Sequence, residues 1–150
     1  YGWPFREGTD GVDRKGKTTI LPLYQYSHVD DQPYFGCSIS AGAFYQPLNT
    51  GFPGEYVGKY FFADYCEGWF GILDPADNSV TRFADGDGSL NVVDMKVNSD
   101  GELYFLQHRA GGVYKITYTG TELAPFIVSH PQDVLAPVGS DATFSFSTVG

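Results

Sequence analysis

The fold is decided by the stretch GKYFFADYCEGWFGIL, residues 58–73, in which apolar residues crowd around a short polar segment. Strand-forming residues at 60–62 and 69–72 flank positions 66–68, whose Cys-Glu-Gly sequence favours a tight turn. Large apolar side chains are consecutive within each run, so they point to both faces of the predicted strands. A strand that is apolar on both faces is covered on both sides. The stretch therefore predicts a hairpin inside a stack of sheets.

The composition fits one ordinary packed domain of the all-β class. The chain has 150 residues, of which 42% are hydrophobic and 17% aromatic, and this content is ample for a core. Its 19 glycines and 9 prolines lie between short strand-like runs, which indicates many turns. No segment shows the periodicity of an amphipathic helix. We therefore expect a fold built of short strands and turns.

The charge of the chain argues against several classes of partner. A formal net charge of −9 and a pI near 4.5 disfavour nucleic acid and anionic membranes, since binding phosphate needs clustered Lys and Arg. No apolar run approaches the roughly 20 residues of a membrane span, and no signal peptide is visible. The chain opens at Tyr1 and stops at Gly150 within a strand-like pattern, so we expect a fragment whose leader lay further upstream.

The two cysteines, Cys37 and Cys66, are predicted to form a disulfide. Folding the chain at the intervening Pro- and Gly-rich segment pairs the strand that begins at Cys37 with the strand that ends at Cys66. The register that places Phe44 opposite Lys59 also places the cysteines opposite each other, at a Cα separation of about 4.5 to 5.5 Å. Such a bridge stabilises by roughly 3 to 4 kcal/mol in the chain-entropy model and favours an exported protein. The alternative is two buried free thiols.

An internal sequence repeat, called the echo below, divides part of the chain into two similar units. The segment GKYFFADYCEGWFGI, which begins at Gly58, is similar to GELYFLQHRAGGVYKI, which begins at Gly101, and the two are offset by 43 residues. The echo matches Phe62 with Phe105 and aligns glycines near both ends of each segment. A period of about 40 to 50 residues made of four short strands is the signature of a β-propeller blade.

The repeat predicts two blades. The strands of the first are predicted at 37–45, 60–66, 69–74 and 80–85. Those of the second are predicted at 92–98, 102–108 and 112–118, with NSDG as a tight turn between the first two. No fourth strand is evident in the second blade, and we expect another part of a closed ring to supply it. Residues 1–28 are predicted as the tail of a preceding blade, with a polar loop before a strand that ends in QYSH.

The character of the sequence changes after Gly120. The segment that follows is Pro-rich, and residues 142–147 alternate strictly between apolar and polar, which is typical of a half-exposed strand. A Pro-rich lead strand followed by VGSDATFSF resembles the opening of an immunoglobulin-like sandwich. We therefore divide the chain into propeller blades at 1–120 and, at 121–150, a linker with the first strands of an immunoglobulin-like domain.

Five segments together resemble the C-terminal part of the glucose/sorbosone dehydrogenase family: YGWPFREG, LPLYQYSH, CSISAGAFYQP, FPGEYVGKYFFADYCEGWFGIL and VVDMKVNSDGELYFL. The resemblance covers residues 1–118 and keeps the motifs in order. It implies a six-bladed β-propeller, of which about two blades are present. Members with known activity oxidise aldoses or sorbosone with pyrroloquinoline quinone (PQQ) and calcium, whereas the similar hedgehog-interacting proteins act by binding.

Three positions depart from the cofactor contacts of that family. Quinone-binding members carry a Lys at the position of Cys66, and two Arg at the positions of Asn91 and Val93 before Asp94. These cations pair with the carboxylates of PQQ, and a buried carboxylate without a cation is costly. The catalytic His and the calcium ligands of such enzymes would precede Tyr1, so the resemblance assigns no catalytic residue here.

Six residues are candidates to face a cofactor or ligand. Tyr34 and Tyr65 lie beside positions that cradle the cofactor in relatives, and His28, at the end of QYSH, is placed by hypothesis at the axial funnel. Both tyrosines, with Trp69 and Trp3, are also candidates for a sugar-stacking platform, but Trp69 is predicted to belong to the core. The ligand-facing candidates are His28, Tyr34, Gly36, Tyr65, Cys66 and Asn91.

No metal site is assigned from the residues. The histidines His28, His108 and His130 are too scattered for one site, and structural or surface roles are the favoured interpretation. The acidic loops at 7–13 and 85–88 offer the oxygen ligands that calcium prefers. Neither loop has the full spacing of a calcium loop, so solvated turns are favoured there.

Two functions from different classes follow. The resemblance implies PQQ- and calcium-dependent oxidation of an aldose or similar sugar by an extracellular or periplasmic protein, with electrons passed to an external acceptor. The departures at Cys66, Asn91 and Val93 favour the alternative, a non-catalytic extracellular propeller that binds carbohydrate or protein. In either case, open sheet edges predict that a free piece of this length self-associates.

Overall fold

The computed structural model describes residues 2–13, 16–30, 34–86, 88–120, 126–129, 139–140 and 147–149. Within these ranges the chain forms short antiparallel strands and one 3₁₀ turn at Gly54–Tyr56, which confirms the all-β class. The strands are β1 (Arg6–Glu7), β2 (Asp10–Gly11), β3 (Ile39–Phe44), β4 (Tyr60–Asp64), β5 (Phe70–Leu73), β6 (Val80–Ala84), β7 (Val92–Val97), β8 (Leu103–Gln107), β9 (Gly112–Ile116), β10 (Phe126–Ser129) and β11 (Ser147–Val149).

The first large sheet contains four strands in the order β3-β4-β5-β6, each antiparallel to the next. Its centre is the hairpin of β4 and β5, in which Phe61 lies opposite Ile72. Both central strands are buried on both faces, apart from partial exposure at Tyr60. The four strands predicted for this sheet and its double-faced burial are therefore confirmed.

The second large sheet contains three strands in the order β7-β8-β9, again antiparallel. The predicted NSDG turn joins its first two strands, and the amide of Gly101 donates to the carbonyl of Asn98. The Asn98 side-chain oxygen also accepts from the amides of Asp100 and Glu102, which holds the turn closed. All three strands predicted for this sheet are confirmed.

The two large sheets stack face to face, with β3 lying beside β7. The hydroxyl of Ser40 donates to the carbonyl of Val92, and the rings of Phe70 and Phe105 meet at 5.2 Å. The main core fills the space between the sheets, and apolar burial of this kind is the dominant stabilising contribution. Its buried members are Ala41, Tyr45, Phe52, Phe61, Ala63, Phe70, Ile72, Val92, Met95, Leu103 and Phe105.

The internal echo corresponds to a structural repeat of the sheets. Phe105 packs against the first sheet, which precedes its own sheet in the chain. Its counterpart Phe62 packs against the segment that precedes the first sheet. Equivalent residues therefore contact the part of the chain that comes before their own sheet. Gly68 and Gly111, which the echo aligns, turn the two equivalent hairpins with φ of 70° and 63°. L-residues with side chains rarely adopt such angles, which explains why glycine occurs at both turns.

The register between β3 and β4 differs from the predicted one at one end. Phe44 pairs with Tyr60 and not with Lys59, because Ser40 is an extra residue in β3 and forms a β-bulge. Beyond the bulge the pairing shifts by one residue, and Ile39 lies opposite Asp64. The shifted register brings the cysteines together. The predicted disulfide between residues 37 and 66 is confirmed, with a Cα separation of 5.6 Å.

The segment before the first sheet is not the predicted strand. Residues 20–26 form no strand, and Ser27 makes a single parallel bridge with Phe35. The segment crosses the outer face of the first sheet, where Tyr24 packs against Phe62. In an extended segment, successive side chains point to opposite sides, as they do in a strand. A segment that lies across the face of a sheet shows this alternation without backbone hydrogen bonds to a neighbouring strand. The polar stretch predicted as a loop contains the two-residue pair β1 and β2.

The C-terminal segment is described only in part. β10 and β11 pair antiparallel, with Phe126 opposite Val149. The alternating run at Ala142, Phe144 and Phe146 lies outside the described residues, as does His130. The immunoglobulin-like interpretation of 121–150 therefore stays a prediction.

A cluster around Glu102 makes the second sheet sensitive to acid. The Glu102 carboxylate accepts from Lys115, Tyr104 and Asn98, and these bonds, led by the one from Lys115, hold its pKa at about 2, below the ordinary 4.5. A depressed pKa contributes stability that is present above 4.5 and is lost as pH falls towards 2. We expect the wild type to lose stability relative to Glu102→Gln across this window, measured by urea unfolding.

The variant Glu55→Gln, in the exposed 3₁₀ turn, is the matched control and should follow the wild-type pH profile. If Glu102→Gln and the wild type have parallel stability curves from pH 5 to pH 2, the cluster does not act as described.

Candidate functional site

A cleft of about 860 Å³ lies on the outer face of the first sheet, between the N-terminal segment and residues 34–38, which lead into β3. This volume is within the range of small-molecule sites, about 300 to 1,000 Å³. Its described lining is Glu7, Gly8, Asp10, Pro22, Tyr24, Gln25, Tyr26, Ser27, His28, Tyr34, Cys37, Ser38 and Ile39.

One wall of the cleft is the small hairpin of β1 and β2. Gln25 fastens this hairpin to the crossing segment, because its side-chain oxygen accepts from the Thr9 amide and its nitrogen donates to the Thr9 hydroxyl. Glu7 lies directly opposite Asp10 in the hairpin, and both exposed side chains line the cleft. The wall therefore presents two carboxylates to the cavity.

The floor of the cleft consists of three tyrosines, two of which pack against a tryptophan. Tyr26 packs edge-on against Trp69 at 5.1 Å, Tyr34 meets the same ring at 5.7 Å, and Tyr24 lies 6.3 Å from Tyr26. The hydroxyl of Tyr34 accepts a hydrogen bond from the amide of Arg82. Trp69 is 1% exposed and donates its ring N–H to the Phe35 carbonyl, so its predicted core role is confirmed. The floor is thus fixed from below.

Asp64 fastens the floor to the sheet. Its side chain is fully buried at the end of β4 and accepts four hydrogen bonds, from the Tyr26 hydroxyl and the amides of Ser38, Cys66 and Glu67. A buried carboxylate without partners is costly, and these four donors satisfy it. Burial first, and then the bond to Asp64, raise the pKa of Tyr26 far above its ordinary value, so this phenol stays protonated and donates.

Gly36 allows the second wall of the cleft, which residues 34–38 form, to approach Asp64. A Cβ on Gly36 would overlap the Asp64 carboxylate, so only glycine fits at this position. The Gly36 amide donates to the Ser27 carbonyl, which joins the wall to the crossing segment. The next residue, Cys37, is exposed, lines the cleft and is bonded to Cys66.

The six ligand-facing candidates divide into two groups. His28 and Tyr34 line the cleft, and Gly36 lies behind its wall against Asp64. Tyr65, Cys66 and Asn91 are not part of the described lining but lie together at the end of the two large sheets. The Asn91 side chain donates to the Tyr65 carbonyl, and the Tyr65 hydroxyl lies 3.0 Å from His108 Nδ1. The disulfide from Cys66 to Cys37 connects the two groups.

Sequence reasoning missed the residues that organise the cleft. Tyr24 and Tyr26 were not proposed, although their alternation in YQYSH was a signal that both rings point the same way. Asp64 was not singled out, although a carboxylate inside a strand buried on both faces needs dedicated partners. Glu7 and Asp10 were recognised as acidic, but nothing local to them predicted that they face a tyrosine floor.

The described residues do not fit PQQ. This cofactor carries several carboxylates, whereas the described lining contains two acidic side chains and no Lys or Arg. At the other candidate positions, Asn91 is an uncharged amide, Cys66 is in the disulfide and Val93 is a 40% exposed aliphatic. Among the residues that the structure describes, no three His, Cys, Asp or Glu side chains form a group suited to a metal ion.

No protein-family model, curated protein or solved structure matched the chain. No helix in the described ranges combines the length and the apolar character needed to cross a bilayer.

Removing one donor from Asp64 tests how the floor is held. Tyr26→Phe deletes the phenol that donates to this buried carboxylate, and we expect a loss of about 1.5 to 3 kcal/mol in the free energy of unfolding. The matched control is Tyr24→Phe, because the Tyr24 ring packs against Tyr26 and Phe62 and its hydroxyl makes no hydrogen bond among the described residues. Its expected change is within about 0.5 kcal/mol. Equal losses in urea unfolding of the two variants would contradict the assignment.

Proposed function

We propose that this chain is part of an exported, propeller-like protein that binds carbohydrate in the cleft without catalysing its oxidation. The observation that carries the proposal is the floor of Tyr24, Tyr26 and Tyr34, fixed from below and bordered by polar side chains. Aromatic rings with an apolar face and a polar edge suit the C–H faces and hydroxyls of a sugar ring.

The polar groups at the rim match the hydroxyls of a saccharide. Glu7 and Asp10 supply acceptors on one wall, and His28 and Ser27 supply further groups at the rim. The side-chain amide of Gln25, on the crossing segment, is already hydrogen-bonded to Thr9, so Gln25 positions the hairpin rather than the ligand. A cleft with fixed rings and exposed acceptors can bind a neutral polyhydroxylated ligand without large rearrangement.

A six-bladed propeller is the architecture that we propose for the whole protein. It is supported by two successive sheets that repeat one arrangement at an offset of 43 residues, from Gly58 to Gly101, with β3 beside β7. Among the described residues no strand pairs with the outer edge of β9, so the second sheet has the three strands that the first would have without β6. The disulfide supports an extracellular or periplasmic location, because such bonds persist in oxidising compartments.

Oxidation of a sugar with PQQ and calcium is the competing proposal, supported by the motif resemblance over residues 1–118. Both proposals share a sugar as ligand. They differ in the cofactor, and the acidic lining with uncharged groups at Cys66, Asn91 and Val93 favours binding without the quinone. If PQQ with calcium bound this chain stoichiometrically and tightly, the preference for the binding role would be reversed.

Calorimetric titration with neutral disaccharides such as cellobiose and N,N′-diacetylchitobiose tests the proposal. We expect measurable binding and a roughly tenfold loss of affinity in Tyr24→Ala, since one ring contact is worth about 1.4 kcal/mol. Trp3→Ala is the matched control, because Trp3 is 79% exposed and does not line the cleft. Absence of binding to every disaccharide, or equal losses in both variants, would contradict a carbohydrate site on this floor.

A further inference from the structure

The wall of the cleft carries a pair of like charges that face each other. Glu7 and Asp10 are direct partners across the β1–β2 hairpin, and both are exposed to the cavity. Like charges directly opposite each other on a strand pair are destabilising. A neutral saccharide would relieve none of this repulsion, whereas a cationic group between the two carboxylates would relieve it.

The nearest described cation in the sequence is occupied elsewhere. Arg6 donates from its guanidinium to the carbonyl of Thr9, and its Nε lies 3.4 Å from the carboxylate of Asp13. Asp13 itself accepts from Thr19. Arg6 therefore belongs to a separate cluster and is not part of the described lining.

The described lining of the cleft is acidic on one wall, at Glu7 and Asp10. It contains no Lys or Arg side chain, and the chain as a whole carries a net charge of −9. A concave, partly apolar surface lined by one sign of charge concentrates ligands of the opposite sign. The three tyrosine faces add to this preference, because the face of an aromatic ring attracts cations.

We propose that the cleft selects saccharides with free, protonated amines, of the glucosamine type, over neutral and N-acetylated saccharides. This inference rests on the proposed carbohydrate site and specifies its ligand. A sugar ring lies on the tyrosine floor, and its ammonium group lies between Glu7 and Asp10, where it makes charge-assisted hydrogen bonds. The proposed site therefore needs both parts: the carboxylates bind the ammonium group, and the tyrosine floor contacts the sugar ring.

The test compares two ligands that differ only in acetylation. Calorimetry with the β-1,4-linked glucosamine disaccharide and with N,N′-diacetylchitobiose should show at least about tenfold tighter binding of the free amine, equivalent to about 1.4 kcal/mol. The preference should shrink as salt is raised, because exposed charges are screened.

A double variant assigns the preference to the wall. Glu7→Gln with Asp10→Asn should abolish the preference for the amine, so that the two disaccharides bind the variant with similar affinities. Glu55→Gln with Asp100→Asn removes the same formal charge at exposed positions outside the cleft lining and should keep the preference. Retention of the preference in the cleft double variant would overturn the inference.

The outcomes separate this inference from the proposed function. Equal affinity of the wild type for both disaccharides overturns the amine selectivity but supports a carbohydrate site. Binding of neither disaccharide overturns both. Tighter binding of the free amine that is lost with the wall carboxylates supports both.

Discussion

The buried carboxylate of Asp64 is the constraint on which the outer face of the first sheet depends. A carboxylate removed from water must be given donors, and Asp64 receives them from three different segments of the chain. Tyr26 comes from the crossing segment, Ser38 from the irregular segment before β3, and Cys66 and Glu67 from the turn after β4. Satisfying one polar group therefore places the floor, one wall and the supporting turn of the cleft in a single arrangement.

The disulfide and this hydrogen-bond cluster act on the same junction. Cys37 precedes the donor Ser38, and Cys66 donates its own amide to Asp64, so the disulfide limits how far the wall can move from the turn. The hydrogen bonds to the Asp64 carboxylate then fix the orientation of the wall relative to the turn. The β-bulge at Ser40 belongs to the same arrangement, because the one-residue shift it introduces brings both the cysteines and the Asp64 donors into register.

Local patterns predicted the fold well and the site in part. The strands between residues 37 and 118 were predictable because each hairpin is formed by neighbours in sequence, with apolar runs and turn glycines marking its limits. The crossing segment was not predictable. The alternation of Tyr24 and Tyr26 is the same in a paired strand and in an extended segment that lies across the face of a sheet. The β-bulge at Ser40 was also not predictable, because the apolar pattern of the sequence contains no sign of it. His28 and Tyr34 were proposed as ligand-facing and line the cleft, but Asp64 joins Tyr26 over 38 residues, and no local signal encodes such a contact.

Hydrogen exchange of individual amides in the wild type and in Asp64→Asn tests the central role of the carboxylate most directly. The account predicts that the amides of Ser38, Cys66 and Glu67 are protected in the wild type. In the variant, with the disulfide intact, they should exchange at least about tenfold faster, while amides of β8 in the second sheet keep their protection. Unchanged exchange at these three amides would contradict the account, and so would a uniform acceleration throughout both sheets.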